Sequence, residues 1–161
     1  MKVFAISGWS QTGKTTLAKK IIKSLIEKGF EVASLKSTHK NLEDDIESDT
    51  YHHQIAGANP TILRGKDHSI LRYKGKISLK TISELDVDFL IVEGLKQSKI
   101  PKIWCSKSDD DSWIEFPEVR AIVIRRATRT ETQKRIPILT PNDTEQLVSI
   151  IIQNAEDIQN F

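Results

Sequence analysis

The sequence predicts an α/β fold in which a mostly parallel central sheet carries helices on both faces. Two observations support this class. The first apolar run, Val3–Ser7, is followed by a segment with helical periodicity and then by a second strand-like run, Glu31–Lys36. Strand, helix and strand in this order form a βαβ unit, whose two strands lie parallel. The second observation is a glycine-rich stretch between the first run and the helix, a combination typical of nucleotide-binding α/β folds.

Length and composition favour one domain over 1–161, because 161 residues is the size of a typical domain. The net charge of +2 is too small to indicate binding to DNA or to a membrane surface. No apolar run approaches the roughly 18 residues of a membrane span. The single cysteine, Cys105, permits no intrachain disulfide, which fits a reducing compartment. We therefore expect a cytoplasmic protein that binds neither DNA nor membranes.

The first helix is predicted over Thr15–Lys28, where apolar residues recur at helical spacing and lysines occupy the opposite side. Gly29 suits the position that ends it. Ser48 is placed to cap a second helix over Asp49–Ala56. Asn142 with Glu145 three residues later forms a capping box for the last helix, which we expect over Asn142–Gln159.

The remaining elements are shorter. We expect the stretch from Lys107 to Glu118, which is acidic and irregular, to be a mobile surface loop. The other predicted elements are a possible hairpin of Thr61–Arg64 and Ser69–Tyr73, a helix over Leu79–Leu85, and strands over Asp88–Val92, Lys102–Ser106 and Arg120–Ile124.

A phosphate-binding loop is indicated by residues 8 to 15, which are G-W-S-Q-T-G-K-T and fit the pattern G-x-x-x-x-G-K-[ST]. Glycines let the backbone turn closely, so that successive N–H groups point at anionic oxygens, and the following helix adds the positive end of its dipole. We expect Lys14 to reach the β- and γ-phosphates and the Thr15 hydroxyl to bind Mg²⁺. The predicted phosphate-binding residues are Gly8, Trp9, Ser10, Gln11, Thr12, Gly13, Lys14, Thr15 and Thr16.

An acid ends a second apolar run, D-F-L-I-V-E-G. The carboxyl ends of parallel strands meet at one edge of the sheet, and P-loop proteins use an acid there to hold magnesium. Glu93 occupies that end, whereas Asp88 lies roughly 16 Å away at the start of the run. Asp49 is either a further acid of this site or a first-turn helix acid. The predicted catalytic residues are Lys14, Glu93 and Asp49, and the predicted magnesium-binding residues are Thr15, Glu93 and Asp49.

Four stretches together resemble the molybdopterin-guanine dinucleotide biosynthesis protein B (MobB) family: G-W-S-Q-T-G-K-T-T-L, K-S-T-H, S-D-T-Y-H-H-Q-I-A-G-A, and D-F-L-I-V-E-G-L-K with P-K-I after it. The resemblance implies a GTP-binding P-loop protein with weak Mg²⁺-dependent GTPase activity, usually a homodimer. It implies an adapter to the enzyme that joins GMP to molybdopterin in making the molybdenum cofactor. By matching positions, it implies phosphate and magnesium binding by Gly13, Lys14, Thr15 and Thr16, with Asp49 and Glu93 beside them and Lys96 after the acid.

The sequence departs from the family pattern at three places. Gln11 stands where members usually have glycine. The histidine-rich K-H-x-x-H pattern is here K-S-T-H-K, which retains only His39. The late strand continues as A-I-V-I-R-R-A-T, without the acid that reads guanine in the family, so the preference for GTP over ATP stays open. The stretch Ser106–Asp109 either reads guanine instead or is a solvated loop.

Two further features have more than one interpretation. Trp9 is expected to be exposed in the loop, where it would stack on a ligand or pack at a dimer contact. A basic cluster near the chain's late strand is either a solvated flank or a docking site for an acidic partner or a phosphorylated pterin. Its members are Arg120, Arg125, Arg126, Arg129, Lys134 and Arg135.

Three classes of function are therefore compatible with the sequence. One is a nucleotide-dependent adapter that hydrolyses GTP slowly. The alternative is a small-molecule or nucleotide kinase that uses the same loop, with an acceptor pocket in the stretch from His39 to His53 and an arginine-rich lid. The last is a nucleotide-binding module without turnover.

Overall fold

The chain folds into two units. A computed structural model describes residues 1–40, 48–107, 112–125 and 135–161. One unit combines Met1–Thr38 with Ser83–Phe161, and the other is His39–Ile82. The expectation of one domain over 1–161 stays a prediction. In the part of the chain that the structure describes, no helix has the length and apolar character needed to cross a membrane.

Strands and helices are interspersed along the chain. The strands are Lys2–Gly8 (β1), Val32–Lys36 (β2), Thr61–Arg64 (β3), Ser69–Arg72 (β4), Phe89–Glu93 (β5), Lys102–Ser106 (β6), Val119–Ile124 (β7), Ile138–Leu139 (β8) and Glu156–Asp157 (β9). The α-helices are Lys14–Glu27 (α1), Asp49–Ile55 (α2), Leu79–Ile82 (α3) and Thr144–Asn154 (α4). Two 3-10 helices cover Ser112–Glu115 and Ile158–Asn160.

The larger unit contains a sheet with the strand order β2-β5-β1-β6-β7-β8, in which all these neighbours pair in parallel. β9 joins it antiparallel to β1, beside Lys2 and Val3. β6 pairs only with Ala5–Gly8 of β1, so β9 takes the part of β1 that β6 does not reach. The sheet is therefore mostly parallel, as the sequence predicts, and the carboxyl ends of β1, β2 and β5 meet at one edge.

Helices α1 and α4 cover one face of this sheet. Their buried side chains, among them Leu17, Ile21 and Leu147, pack in one cluster with Phe4 and Ile6 of β1. Burying each of these large aliphatic side chains contributes roughly 1.5–3 kcal/mol to folding. The amphipathic helix predicted from the spacing of apolar residues is therefore confirmed. Its apolar face packs on the sheet, and its lysines lie on the outer side.

The opposite face is covered by a second, aromatic cluster. Successive residues of a strand point to opposite faces, so Trp104 of β6 and Ile122 of β7 lie across the sheet from the α1 side. Trp113, from the 3-10 helix Ser112–Glu115, packs with them and is 3% exposed. The prediction of a mobile surface loop from Lys107 to Glu118 is therefore wrong for this part, because a tryptophan anchors it to the core.

The smaller unit contains α2, α3 and a hairpin. Ser48 caps α2 as predicted, since its hydroxyl oxygen accepts a hydrogen bond from the Tyr51 amide at 3.3 Å. Strands β3 and β4 pair antiparallel, which confirms the predicted hairpin. Helix α3 ends at Ile82, so the predicted helix over Leu79–Leu85 is too long.

The last helix differs from its prediction at both ends. α4 ends at Asn154 because Ala155 is extended (φ −65°, ψ 135°), and the chain continues into β9 instead of helix to Gln159. At its start, the Asp143 carboxylate accepts hydrogen bonds from the Thr140 amide at 2.6 Å and hydroxyl at 2.8 Å. Glu145 binds the Lys28 ammonium at 2.7 Å. The predicted capping box is therefore wrong, and Asp143 organises the turn.

We expect Asp143→Ala to lower the free energy of unfolding by about 1 kcal/mol at pH 7, because two hydrogen bonds to a carboxylate are lost. These bonds, the backbone one first, lower the pKa of Asp143 in the folded protein. The stabilisation is therefore present above the unfolded pKa of about 3.9 and is lost as the pH falls through the lower folded value. Urea unfolding should show the difference between variant and wild type shrinking below about pH 4.

Asn142→Ala is the matched control, since Asn142 belongs to the rejected capping box and accepts only an exposed hydrogen bond from Lys20 at 3.1 Å. It should change stability by less than Asp143→Ala. If Asn142→Ala lowered the free energy of unfolding more than Asp143→Ala does, the capping box would be supported after all.

Candidate phosphate-binding site

The loop between β1 and α1 lies at the carboxyl edge of the sheet. Gly8 ends β1 opposite Cys105 of β6, and any β-carbon at Gly8 would collide with the Cys105 carbonyl oxygen. Gly13 has a φ of 92° and precedes α1, whose first backbone bond runs from the Leu17 amide to the Gly13 carbonyl at 3.0 Å. The amides of the first turn lie outside the helical ladder, and helix dipole and amides together favour an anion there.

Gln11 adopts a left-handed conformation, with a φ of 60°. This is the position where the resemblance leads one to expect glycine, and the conformation explains why. A side chain in the left-handed region costs roughly 1–2 kcal/mol. The loop therefore keeps the backbone turn that glycine would adopt without strain.

Lys14, the first residue of α1, folds back over the loop. Its ammonium donates to the Trp9 carbonyl at 2.5 Å, and the same carbonyl accepts from the Thr12 hydroxyl at 2.9 Å. An ammonium has three donor hydrogens, so this contact leaves others for phosphate oxygens. The predicted phosphate ligand is therefore placed at the loop.

Thr15 and Glu93 meet as the sequence predicts. The Thr15 hydroxyl donates to Oε1 of Glu93 at 2.7 Å. The Lys36 ammonium lies 3.3 Å from the same carboxylate oxygen and 3.5 Å from the Thr15 hydroxyl oxygen. A hydroxyl and a carboxylate are hard oxygen ligands, the kind that Mg²⁺ prefers in nucleotide sites, so this pair of side chains fits that ion. The sequence analysis placed Lys36 at the end of the second predicted strand but did not connect it to Glu93.

Trp9 is half exposed, as expected, and packs against its own chain. Its ring contacts Trp104 edge-on, with the ring centroids 6.0 Å apart. The Lys96 ammonium lies 3.7 Å from the centroid of the Trp9 ring, a cation–π contact. The loop and the segment after Glu93 are therefore joined through an aromatic ring.

Lys102 holds the segment that follows Glu93. Its side chain is fully buried, and its ammonium donates to the carbonyls of Lys96 at 2.9 Å and Ser98 at 2.6 Å. Burial lowers the pKa of Lys102, and the nearby Glu118 carboxylate partly offsets this. The only sequence signal for this role is a lysine that opens an apolar strand, in the P-K-I part of the family motif. Sequence reasoning missed it.

Cys105 lies next to the loop but is not a nucleophile. Burial raises the pKa of its thiol to about 12, with Lys14 lowering it and Glu93 raising it. The thiol is therefore protonated at neutral pH, and only the thiolate is an effective nucleophile. The chemistry of the site depends on the loop, the lysines and Glu93.

Other predicted residues lie elsewhere or outside the described chain. Asp49 begins α2 in the smaller unit, and its magnesium role stays a prediction. In the basic cluster, Arg120 donates to the Pro117 carbonyl at 2.9 Å, and Arg125 and Arg135 are exposed. Residues that lie outside the described ranges are Ser108 and Asp109 of the possible guanine-reading loop and Arg126, Arg129 and Lys134 of the basic cluster.

We expect Lys102→Met to lower the free energy of unfolding by about 2–3 kcal/mol, because two partly buried carbonyls lose a charged donor and Glu118 loses its cation. Methionine preserves most of the side-chain volume. Lys99→Met is the control, because Lys99 is exposed in the same segment. Denaturant unfolding would contradict the assignment if both variants were as stable as the wild type.

Comparisons with known proteins show which family the sequence resembles. Residues 3–128 match the family model described as "Molybdopterin guanine dinucleotide synthesis protein B". A protein of Escherichia coli named "Molybdopterin-guanine dinucleotide biosynthesis adapter protein" is 29% identical over 160 residues, covering 94% of this chain and 91% of its own. A protein of the same name from Haemophilus influenzae is 30% identical over 156 residues, covering 92% and 86%.

Solved structures confirm the fold. The crystal structure of Bacillus subtilis MobB superimposes with a TM-score of 0.73 at 23% identity, over 97% of this chain and 99% of that one. A MobB homologue from Bacillus stearothermophilus gives a TM-score of 0.69 at 20% identity, over the full length of both chains. The P-loop architecture and the resemblance of the sequence motifs are thus confirmed, and the chain belongs to the molybdopterin guanine dinucleotide synthesis protein B family, MobB.

Proposed function

We propose that this protein is a GTP-binding adapter in the biosynthesis of molybdopterin guanine dinucleotide, with weak Mg²⁺-dependent GTPase activity. The observation that carries the proposal is the contact of the Thr15 hydroxyl with the Glu93 carboxylate at 2.7 Å, directly behind a P-loop. The pathway is inferred from membership of the family. Relatives that match nearly the whole chain are named adapter proteins. The partner we infer is the enzyme that transfers the guanylyl group.

The phosphate chemistry rests on positioning and charge. The first-turn amides of α1 and the Lys14 ammonium would bind the β- and γ-phosphates, and Thr15 and Glu93 would hold the magnesium ion. When bound, Mg²⁺ neutralises phosphate charge. Glu93 is 15% exposed at its side chain, which keeps the carboxylate in a fixed place beside Thr15. Because water is a poor nucleophile unless another residue orients it, hydrolysis by this set alone is slow.

Guanine as the base is inferred from the family. β7 ends at Ile124 and Arg125 follows it, so no acid there reads the base. Asp49, at the start of α2, is proposed as a further acid of the magnesium site. We place the protein in the cytoplasm, where a pathway that uses GTP would operate.

A homodimer is the proposed assembly, and the β3–β4 hairpin supports it. Ile62 pairs with Leu71 on one face of the hairpin, and Leu63 pairs with Ile70 on the other face. All four side chains are between 42% and 65% exposed. A two-stranded sheet is marginally stable alone, and exposed apolar patches mark sites of association. A second copy of the chain would cover this surface.

We expect Lys14→Ala to reduce the affinity for GTP with Mg²⁺ by at least about a hundredfold, since a charged contact to the phosphates is lost. Isothermal titration calorimetry measures this directly. Lys23→Ala is the control, because it removes the same charge from an exposed position of α1, where Lys23 pairs with Glu27 at 3.7 Å. If Lys14→Ala and the wild type bound GTP with equal affinity, the loop would not be the nucleotide-binding site.

An assay with the purified guanylyl-transferring enzyme separates the adapter from the other functions. We expect the protein to bind that enzyme in sedimentation experiments and to prefer GTP over ATP. We also expect it to release phosphate more slowly than about 1 s⁻¹, the lower end of typical turnover numbers for enzymes. Rapid phosphorylation of a small acceptor with hydrolysis suppressed would identify a kinase. Tight nucleotide binding without phosphate release would identify a module without turnover.

A further inference from the structure

Lys36 lies beside the two side chains that fit magnesium. It is the last residue of β2, and the register of the sheet pairs it with Glu93, the last residue of β5. Its ammonium is within 3.3 Å of the Glu93 carboxylate and 3.5 Å of the Thr15 hydroxyl oxygen, while those two oxygens are 2.7 Å apart. The three groups form a triangle whose negative member is Glu93.

A cation held by Thr15 and Glu93 would lie beside the Lys36 ammonium. Mg²⁺ takes oxygen ligands at roughly 2.0–2.1 Å, so an ion bound to the Glu93 carboxylate would be close to the charge of Lys36. Like charges this close repel, and although water around the Lys36 side chain screens part of the repulsion, the Glu93 side chain that both cations would contact is only 15% exposed. The free ion therefore competes with a cation that the protein already supplies.

The charge of a triphosphate changes this balance. Phosphate oxygens can accept hydrogen bonds from the Lys36 ammonium, and they bring further negative charge to the magnesium ion. The Lys36 side chain is 62% exposed, so it can turn from Glu93 without disturbing the core. With the ammonium turned to phosphate, the Glu93 carboxylate would be left for the metal ion, so binding of the ion would depend on the nucleotide.

We propose that Lys36 is a positioning residue that makes metal binding depend on the nucleotide. Its ammonium holds the Glu93 carboxylate until phosphates arrive, and it then pairs with them. This inference rests on the proposed nucleotide binding at the P-loop. It predicts that removing the ammonium makes the Thr15–Glu93 pair a better site for a divalent ion alone.

The test measures Mn²⁺ binding without nucleotide, by electron paramagnetic resonance of the free ion. We expect Lys36→Met to bind Mn²⁺ about tenfold more tightly than the wild type, because a nearby like charge is removed. Lys23→Met is the matched control, since it removes one exposed charge from α1. The double variant Lys36→Met/Glu93→Gln should lose the gain, which assigns the improved site to Glu93 and not to a histidine elsewhere.

The second measurement is GTP affinity with and without Mg²⁺ by calorimetry. In the wild type, Mg²⁺ should strengthen GTP binding more than in Lys36→Met, because the variant binds the ion without help. Glu93→Gln should keep Mg²⁺-free binding and lose most of the Mg²⁺ effect. If wild-type protein binds no GTP, the proposed function fails. If the wild-type protein binds GTP but Lys36→Met gains no Mn²⁺ affinity, only the role of Lys36 is overturned and the proposed function stands.

Discussion

The register between three parallel strands determines where the charged groups of the site lie. Glu93 pairs with Ile6 of β1 on one side and with Lys36 of β2 on the other. β5 is buried along its length except at Glu93, so its four apolar residues fix it between its neighbours. A shift of one residue would turn Glu93 to the opposite face and bury a different side chain. Apolar packing of the sheet thus positions a carboxylate that has no packing role of its own.

Local patterns made the central part of this site predictable. The loop follows from four fixed positions within eight residues, and the acid follows from its place after an apolar run. Both are short-range signals, and the parallel arrangement of a βαβ unit brings them together without further information. The contact between Thr15 and Glu93, which are 78 residues apart, could therefore be inferred from sequence.

Other features depend on contacts that no local pattern contains. The end of α4 is determined by pairing of β9 with the free part of β1, more than 150 residues away in sequence. Glu145 fits a capping box, but the Lys28 ammonium on α1 binds it instead. Lys102 is a charged residue in an apolar strand, and only the path of the Gly94–Ser98 segment shows which carbonyls it serves. Tertiary contacts overrule local preference in each case.

The lysines around the loop share one property: each is held by an acceptor of the protein itself. Lys14 lies on the Trp9 carbonyl, Lys96 on the Trp9 ring and Lys36 on the Glu93 carboxylate. Lys14 keeps further donor hydrogens for an anion, whereas a polyphosphate that draws the Lys36 ammonium to itself, as we propose, would replace the pairing with Glu93, so its affinity would be the difference between new and old charge pairs. Trp9 and the segment after Glu93 are joined to the loop by the same set of contacts, so they form the surface that adjoins the proposed phosphate site. In the proposed adapter, this surface is where nucleotide occupancy would become visible to a partner enzyme.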